Sequence, residues 1–484
     1  MSDQVVLEKA LKPNEKWRIV KNVGAIGLTF MMYFIAYSGA ANLQSSINAE
    51  AGLGTMSLAS IYAGVLISNI FLSGFVLKWL GTKSAMWCSL IIYVPFIASQ
   101  MHARFYTLIP AAFLLGLASG PLWCAMCTYL SVAADAYSTL SKISAGVILQ
   151  RFFGFFYTFY QTGQIWGNLI SSLVLSTNNK ASITTINDSM IPQLCGANFI
   201  VNTNASIALP TQPPEKILML TGVYLAFILA SVLVVALGLD SMKRYEPYRK
   251  NTGNRLSGIA LLAASMKLFT EVDQLLFVII YIFLGIQQAD MKSADFTASF
   301  VSCAIGTGSV GYVMMAFGVT DAMGCVLTGY LAKLFGRLPL VISALITHMG
   351  VILMLLLWRP HAGDYHVMVI IAVVWGLCDS VWLAQMNSYC GVIFHGKEEA
   401  AFPNIRLCEG VGFMIAYMLS SYVRTRYKIY LLLGTLIVGI SGYFILEYKH
   451  RSAETVEQKI KGDKIENRQE PMFLEIQCDK STVL

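Results

Sequence analysis

The chain has 484 residues, of which 56% are hydrophobic and 13% charged, with a formal net charge of +7. Soluble domains carry roughly a quarter charged residues, so this chain cannot clothe a water-facing surface. Apolar runs of about 20 residues recur along it and are apolar all round, which fits helices crossing a bilayer and excludes a closed barrel of alternating strands. The basic excess sits at the ends of these runs, where membrane topology needs it, and gives no argument for nucleic acid as a partner.

Residues 1–21 are polar and basic (Lys9, Lys12, Lys16, Arg18, Lys21) and read as a cytosolic N-terminal segment. The first apolar run, Asn22 to Leu43, is too long for a signal-peptide core and lacks a small-residue cleavage site, so it reads as a retained signal-anchor helix. Further spans are expected at about 55–77, 84–100, 106–130, 145–175 and 217–239, giving a six-helix N-terminal bundle over 22–239. Its outer loop, about 176–216, holds two glycosylation sequons, Asn187-Asp188-Ser189 and Asn204-Ala205-Ser206.

Segment 240–272 links the halves on the cytosolic side. Leu256, Ile259, Leu262 and Met266 recur there at helical spacing between Arg255 and Lys267, the pattern of an amphipathic helix on the inner membrane surface or of a plain tether. Six more spans, at about 274–292, 309–332, 339–358, 367–389, 404–423 and 429–447, make a C-terminal six-helix bundle over 273–448. The polar residues at 287–295 make its first span the least regular. The tail, 449–484, is charge-mixed with no apolar period and is expected to be a disordered cytosolic segment. It ends Ser481-Thr482-Val483-Leu484, where Thr482 and the terminal Leu484 suit strand addition to a PDZ groove.

The chain repeats itself. Leu72-Ser73-Gly74-Phe75-Val76-Leu77-Lys78-Trp79-Leu80-Gly81 recurs 255 residues later as Leu327-Thr328-Gly329-Tyr330-Leu331-Ala332-Lys333-Leu334-Phe335-Gly336, with Gly74/Gly329, Lys78/Lys333 and Gly81/Gly336 in register. At an offset of 260, Gly116-Leu117 pairs with Gly376-Leu377, and Met126 and Tyr129 pair with Met386 and Tyr389. Two echoes at nearly one offset mark a duplicated membrane unit. With the N-terminus inside, 26 of the 34 Lys and Arg residues fall on the inner side, so both termini are expected in the cytosol. Both copies of the Gly-Lys-Gly turn are then cytosolic.

At least seven of the ten cysteines lie in or beside apolar runs, so no disulfide framework is expected; the Cys124/Cys127 pair reads as helix packing. The second half carries charge where charge is costly: Asp321 in the eighth span, Asp379 in the tenth, and Arg406 with Glu409 at the start of the eleventh. Arg406 and Glu409, three apart, share a helix face. These four are expected to form a buried polar network, either lining a permeation path or gluing helices together. In the fifth span Gln161, Gln164 and Asn168 make a polar stripe, a possible cavity lining, that faces a bundle interior. There is no HExxH, GxSxG or P-loop motif and no acid–base pair on a soluble face, so neither an enzyme nor a metal or cofactor site is expected.

Twelve spans in two halves, with matching glycine–lysine turns after the second and eighth, resemble the major facilitator superfamily: an all-α membrane bundle of two pseudo-symmetric six-helix halves. More locally, Asn42-Leu43-Gln44-Ser45-Ser46, Gly120-Pro121-Leu122-Trp123, Trp166-Gly167-Asn168, Cys195-Gly196-Ala197, Thr320-Asp321-Ala322, Leu357-Trp358-Arg359-Pro360 and Ala400-Ala401-Phe402 with Asn404, Arg406 and Glu409 are similar to the uncoordinated-93 family, nearest its homolog-A branch. The resemblance implies a multipass protein in the plasma membrane or an endosomal membrane that regulates potassium channel subunits; the alternatives are solute transport with coupling carboxylates and the escorting of membrane receptors. Two departures stand out. The superfamily's inner-gate signature carries an acid where Lys78 stands here, and the family's Cys-Gly-Ala-x-x-Cys loop has Ile200 at its second cysteine position. Cys195 is then free or has a distant mate such as Cys303.

Overall fold

The computed structural model describes residues 14–48, 52–141, 143, 145–176, 191–200, 212–248, 267–394 and 398–478, and within them every regular element is a helix. In chain order the long helices are α1 (Glu15–Ala41), α2 (Leu53–Ile67), α3 (Ser73–Ser99), α4 (Phe105–Ser141), α5 (Ala145–Ser176) and α6 (Pro214–Leu233). The second half continues with α7 (Val272–Lys292), α8 (Val310–Phe335), α9 (Arg337–Leu357), α10 (Tyr365–Ile393), α11 (Glu398–Ser420) and α12 (Thr425–Cys478).

Twelve long helices stand at the expected spans, and among the described residues ten helical segments are long and apolar enough by composition alone to cross a membrane. The two at expected spans that fall outside this set are α5 and α11. Both carry polar faces (Arg151, Gln161, Gln164 and Asn168; Asn404, Arg406 and Glu409), because both lie between the halves, where packing against protein replaces packing against lipid.

The two halves repeat one packing scheme. In the first, α1 packs on α5 and α6, α4 on α2 and α3, and α3 on α6. In the second, α7 packs on α11 and α12, α10 on α8 and α9, and α9 on α12. The halves meet through α5 against α8 and α2 against α11, which are equivalent contacts under the duplication. Close helix approach depends on small residues: a Cβ on Gly116 of α4 would lie 2.0 Å from the Ile61 carbonyl oxygen, and one on Gly412 of α11 would lie 2.2 Å from that of Ile282.

The repeated turn is the same backbone twice. Gly81 stands at φ 74°, ψ 168° and Gly336 at φ 80°, ψ 172°, a region that only glycine occupies without strain. Lys78 of the first copy is exposed.

Two expectations change and one open alternative is decided. The stretch after α7 is not an open loop: Phe296–Ser302 forms a π-helical turn and is buried throughout, so the chain stays packed up to Gly306. The tail is not disordered over its described part, since α12 runs on as helix to Cys478. Glu, Lys, Gln and Arg dominate that extension and all have high helix propensity. Of the two alternatives for Cys195, the distant mate holds: it bridges to Cys303, with Cα atoms 5.7 Å apart. The sequon asparagines Asn187 and Asn204, the amphipathic pattern at 255–266, and Thr482 and Leu484 lie outside the described residues.

Candidate functional site: buried charge along the seventh helix

Two neighbouring glutamines on α7 organise the polar interior of the second half. Gln287, fully buried, donates through Nε2 to Asp379 Oδ1 of α10 (2.5 Å) and accepts from Trp375 Nε1 (2.6 Å). Asp379 is also fully buried, so in a medium without water this amide supplies part of the solvation the carboxyl has lost. Behind it, Trp382 Nε1 donates to His348 Nδ1 (3.0 Å), and the His348 ring meets that of Trp375 edge-on at 4.6 Å.

Gln288 points the other way and donates to Glu409 Oε1 (3.3 Å). Glu409 also takes the Arg406 guanidinium, which reaches on to Asn387 Oδ1 (3.2 Å). The two ends of this ion pair differ: the Arg406 side chain is 48% exposed and that of Glu409 9%. Arg406 therefore keeps its charge toward open space while its partner anchors it, and Cys127 and Tyr157 of the first half lie within its electrostatic reach.

The four charges expected to form one network are thus divided. Arg406 and Glu409 touch; Asp379 and Glu409 hang on adjacent residues of α7; Asp321 is buried in α8, where Cys325 Sγ lies 3.8 Å from its Oδ1. The stripe on α5 runs along the seam. Asn168 accepts from Asn42 Nδ2 (2.9 Å), and a Cβ on Gly311 of α8 would fall 2.2 Å from its carbonyl oxygen. Gln164 is buried against Gly318 of α8, and Gln161 is half-buried.

Across the seam, polar contacts gather on the side expected to be outer: Ser45 with Thr297 (3.3 Å), Thr55 with Ser421 (2.6 Å) and Ser172 with the Gly308 carbonyl (2.9 Å). On the opposite side the ion pairs stay within a half. Arg18 grips Asp240 (2.7 Å) and Arg244 grips Glu15 (2.6 Å) in the first; Arg337 grips Glu447 (2.8 Å) in the second.

Sequence reasoning missed one cluster. Asp295, at the start of the π-helical turn, contacts Lys428 of α12 and accepts from Ser420 Oγ (3.2 Å), with Asp290 beside it. Its signal was present in Asp290 and Asp295, but these only blurred the edge of a span, and Lys428 counted as a loop cation.

A bundle of this design, two six-helix halves joined face to face by equivalent helices, has the fold of facilitator-type membrane transporters. The Escherichia coli xylose transporter XylE matches at a TM-score of 0.58 with 13% identity, over 89% of this chain and 99% of that one. The nucleoside transporter NupG matches at 0.58 with 11% identity, over 88% and 99%.

The sequence defines the family. The model of the ion channel regulatory protein UNC-93 family matches residues 44–444, and the chain belongs to that family. Protein unc-93 homolog A of Xenopus laevis is 35% identical over 432 residues, 89% of this chain and 93% of the relative. The human homolog A is 33% identical, with the same shares covered. The putative potassium channel regulatory protein unc-93 of Caenorhabditis elegans is 28% identical, over 91% of this chain and 62% of its own.

Proposed function

We propose that this protein is a regulatory partner of potassium channel subunits, acting at the plasma membrane on membrane potential or ion homeostasis. The observation that carries this reading is its kinship with a nematode relative named for that role. The exposed Lys78, at a position where facilitators carry an acid, supports it by removing an element of ordinary gating. Co-expression with candidate two-pore-domain channels, read as potassium current with and without the protein, is the test. Currents unchanged with every channel refute the reading.

A second reading, solute facilitation, is favoured by one feature: the half-exposed Arg406, held by Glu409 and Gln288, faces the first half across the seam. Accumulation of a labelled solute in proteoliposomes, abolished by Arg406→Gln, would establish it. The outer placement of the 176–216 loop is tested by a gel shift lost only when Asn187 and Asn204 are both replaced. A PDZ partner is tested by capture on a tail peptide, abolished by one added C-terminal residue. Receptor escort, the third role, has no structural feature of its own.

A further inference from the structure

At the far end of α7 two acidic residues are buried against one basic residue. Asp290 and Asp295 are 8% and 6% exposed, and the Lys428 side chain is 4% exposed. Lys428 Nζ contacts Asp295 Oδ1 and donates to the Ser420 carbonyl oxygen (3.1 Å). The Asp290 and Asp295 carboxyl groups are both buried and line one small cavity. Asp290 Oδ1 and Asp295 Oδ2 have no protein partner.

Both carboxyl groups and Lys428 border a cavity of about 20 Å³, walled otherwise by Thr425 and by apolar side chains such as Phe300, Ile352 and Leu432. That is room for about one water molecule. On its other side Asp295 borders a second cavity of about 10 Å³, lined from the first half by Ser45, Asn48 and Thr55.

Fully ionised, the cluster carries two negative charges and one positive, and a net charge sealed among apolar walls is costly. Two carboxylates on one small cavity also repel each other, and a proton held by the pair relieves that repulsion. The other groups facing the pair do not redress the balance. Tyr417 of α11 bonds Ser293 through its hydroxyl (2.8 Å). Trp375 of α10 is taken by Gln287, with His348 of α9 behind it, and Asp379 accepts from the same Gln287. Among the described residues no group of three or more His, Cys, Asp or Glu side chains is placed to hold a metal ion.

We propose that Asp290 and Asp295 form a proton-binding site that holds one proton between their carboxyl oxygens and leaves a single negative charge for Lys428 to neutralise. The proton enters from the side of the second cavity and leaves the same way; no bond other than O–H forms or breaks. Because Asp295 also borders the cavity at the Thr55–Ser421 contact, the proton sits where the two halves meet. The site stands whether the protein regulates a channel or carries a solute.

The test is infrared spectroscopy of the full-length protein in lipid nanodiscs at neutral pH. Wild type is expected to show a protonated-carboxyl C=O band that shifts in D₂O and loses one carboxyl's intensity in Asp290→Asn. Lys428→Met, which removes the only cation in the cluster, is expected to raise the pair's contribution twofold, because two protons are then needed. No protonated-carboxyl band in wild type overturns the proposal without any variant, and so does a band unchanged in both variants. A melting temperature that rises when Na⁺ or K⁺ replaces N-methylglucamine at fixed pH and ionic strength also overturns it, making the cluster an alkali-cation site.

Discussion

Gln287 is the residue whose replacement should be most informative. In Gln287→Leu the volume is nearly kept, but Asp379 loses an amide donor at 2.5 Å and Trp375 loses its acceptor at 2.6 Å, both fully within the core. An unmatched buried polar group costs about 1–3 kcal/mol, so two cost about 2–6 kcal/mol. Interhelical bonds in membrane bundles average nearer 0.6 kcal/mol, which sets a floor of about 1.2 kcal/mol for the two. In a bundle of roughly 200 residues, 1 kcal/mol corresponds to about 2–4 °C in Tm. The single variant should therefore melt at least about 2 °C below wild type in nanodiscs. Removing both partners at once is gentler than removing one, so Gln287→Leu with Asp379→Leu should melt above Gln287→Leu alone. A single variant as stable as wild type, or a double variant no better than the single, would refute the reasoning.

Further predictions follow from the repeat, the seam and the disulfide. Gly81→Ala and Gly336→Ala should each destabilise by about 1–3 kcal/mol, because φ near 80° is strained for any side chain, whereas Gly329→Ala, with nothing within 4 Å of the new Cβ, should leave Tm unchanged or raise it. Cysteines placed at Thr55 and Ser421, whose hydroxyl oxygens are 2.6 Å apart, should cross-link the halves under mild oxidation; failure to do so would count against a seam closed on that face. Cys195→Ser, Cys303→Ser and the double variant should lower Tm equally, since each opens the same cross-link; unequal effects would mean the two cysteines act separately.

Some of this was legible from residues alone, for definite reasons. Span number and length follow from the bilayer, which demands about 20 apolar residues per crossing whatever the partners. The duplication showed in Gly81 and Gly336 because a backbone at φ 74° and 80° admits only glycine, so the constraint is written directly in the residue type. Arg406 and Glu409 were legible as a pair because i, i+3 spacing on a helix is local geometry.

What sequence could not supply was every partnership made across helices. Hydropathy averages over a window, so Asp290 and Asp295 registered only as noise at a span edge, and the place of α5 and α11 at the seam between the halves did not show. Which acid meets Gln287 and which meets Gln288, that Lys428 reaches Asp295, and that Cys303 completes the bond of Cys195 were all decided by tertiary packing. Apolarity records where a residue sits relative to lipid. Only the packed bundle records which polar group it must meet once water is gone.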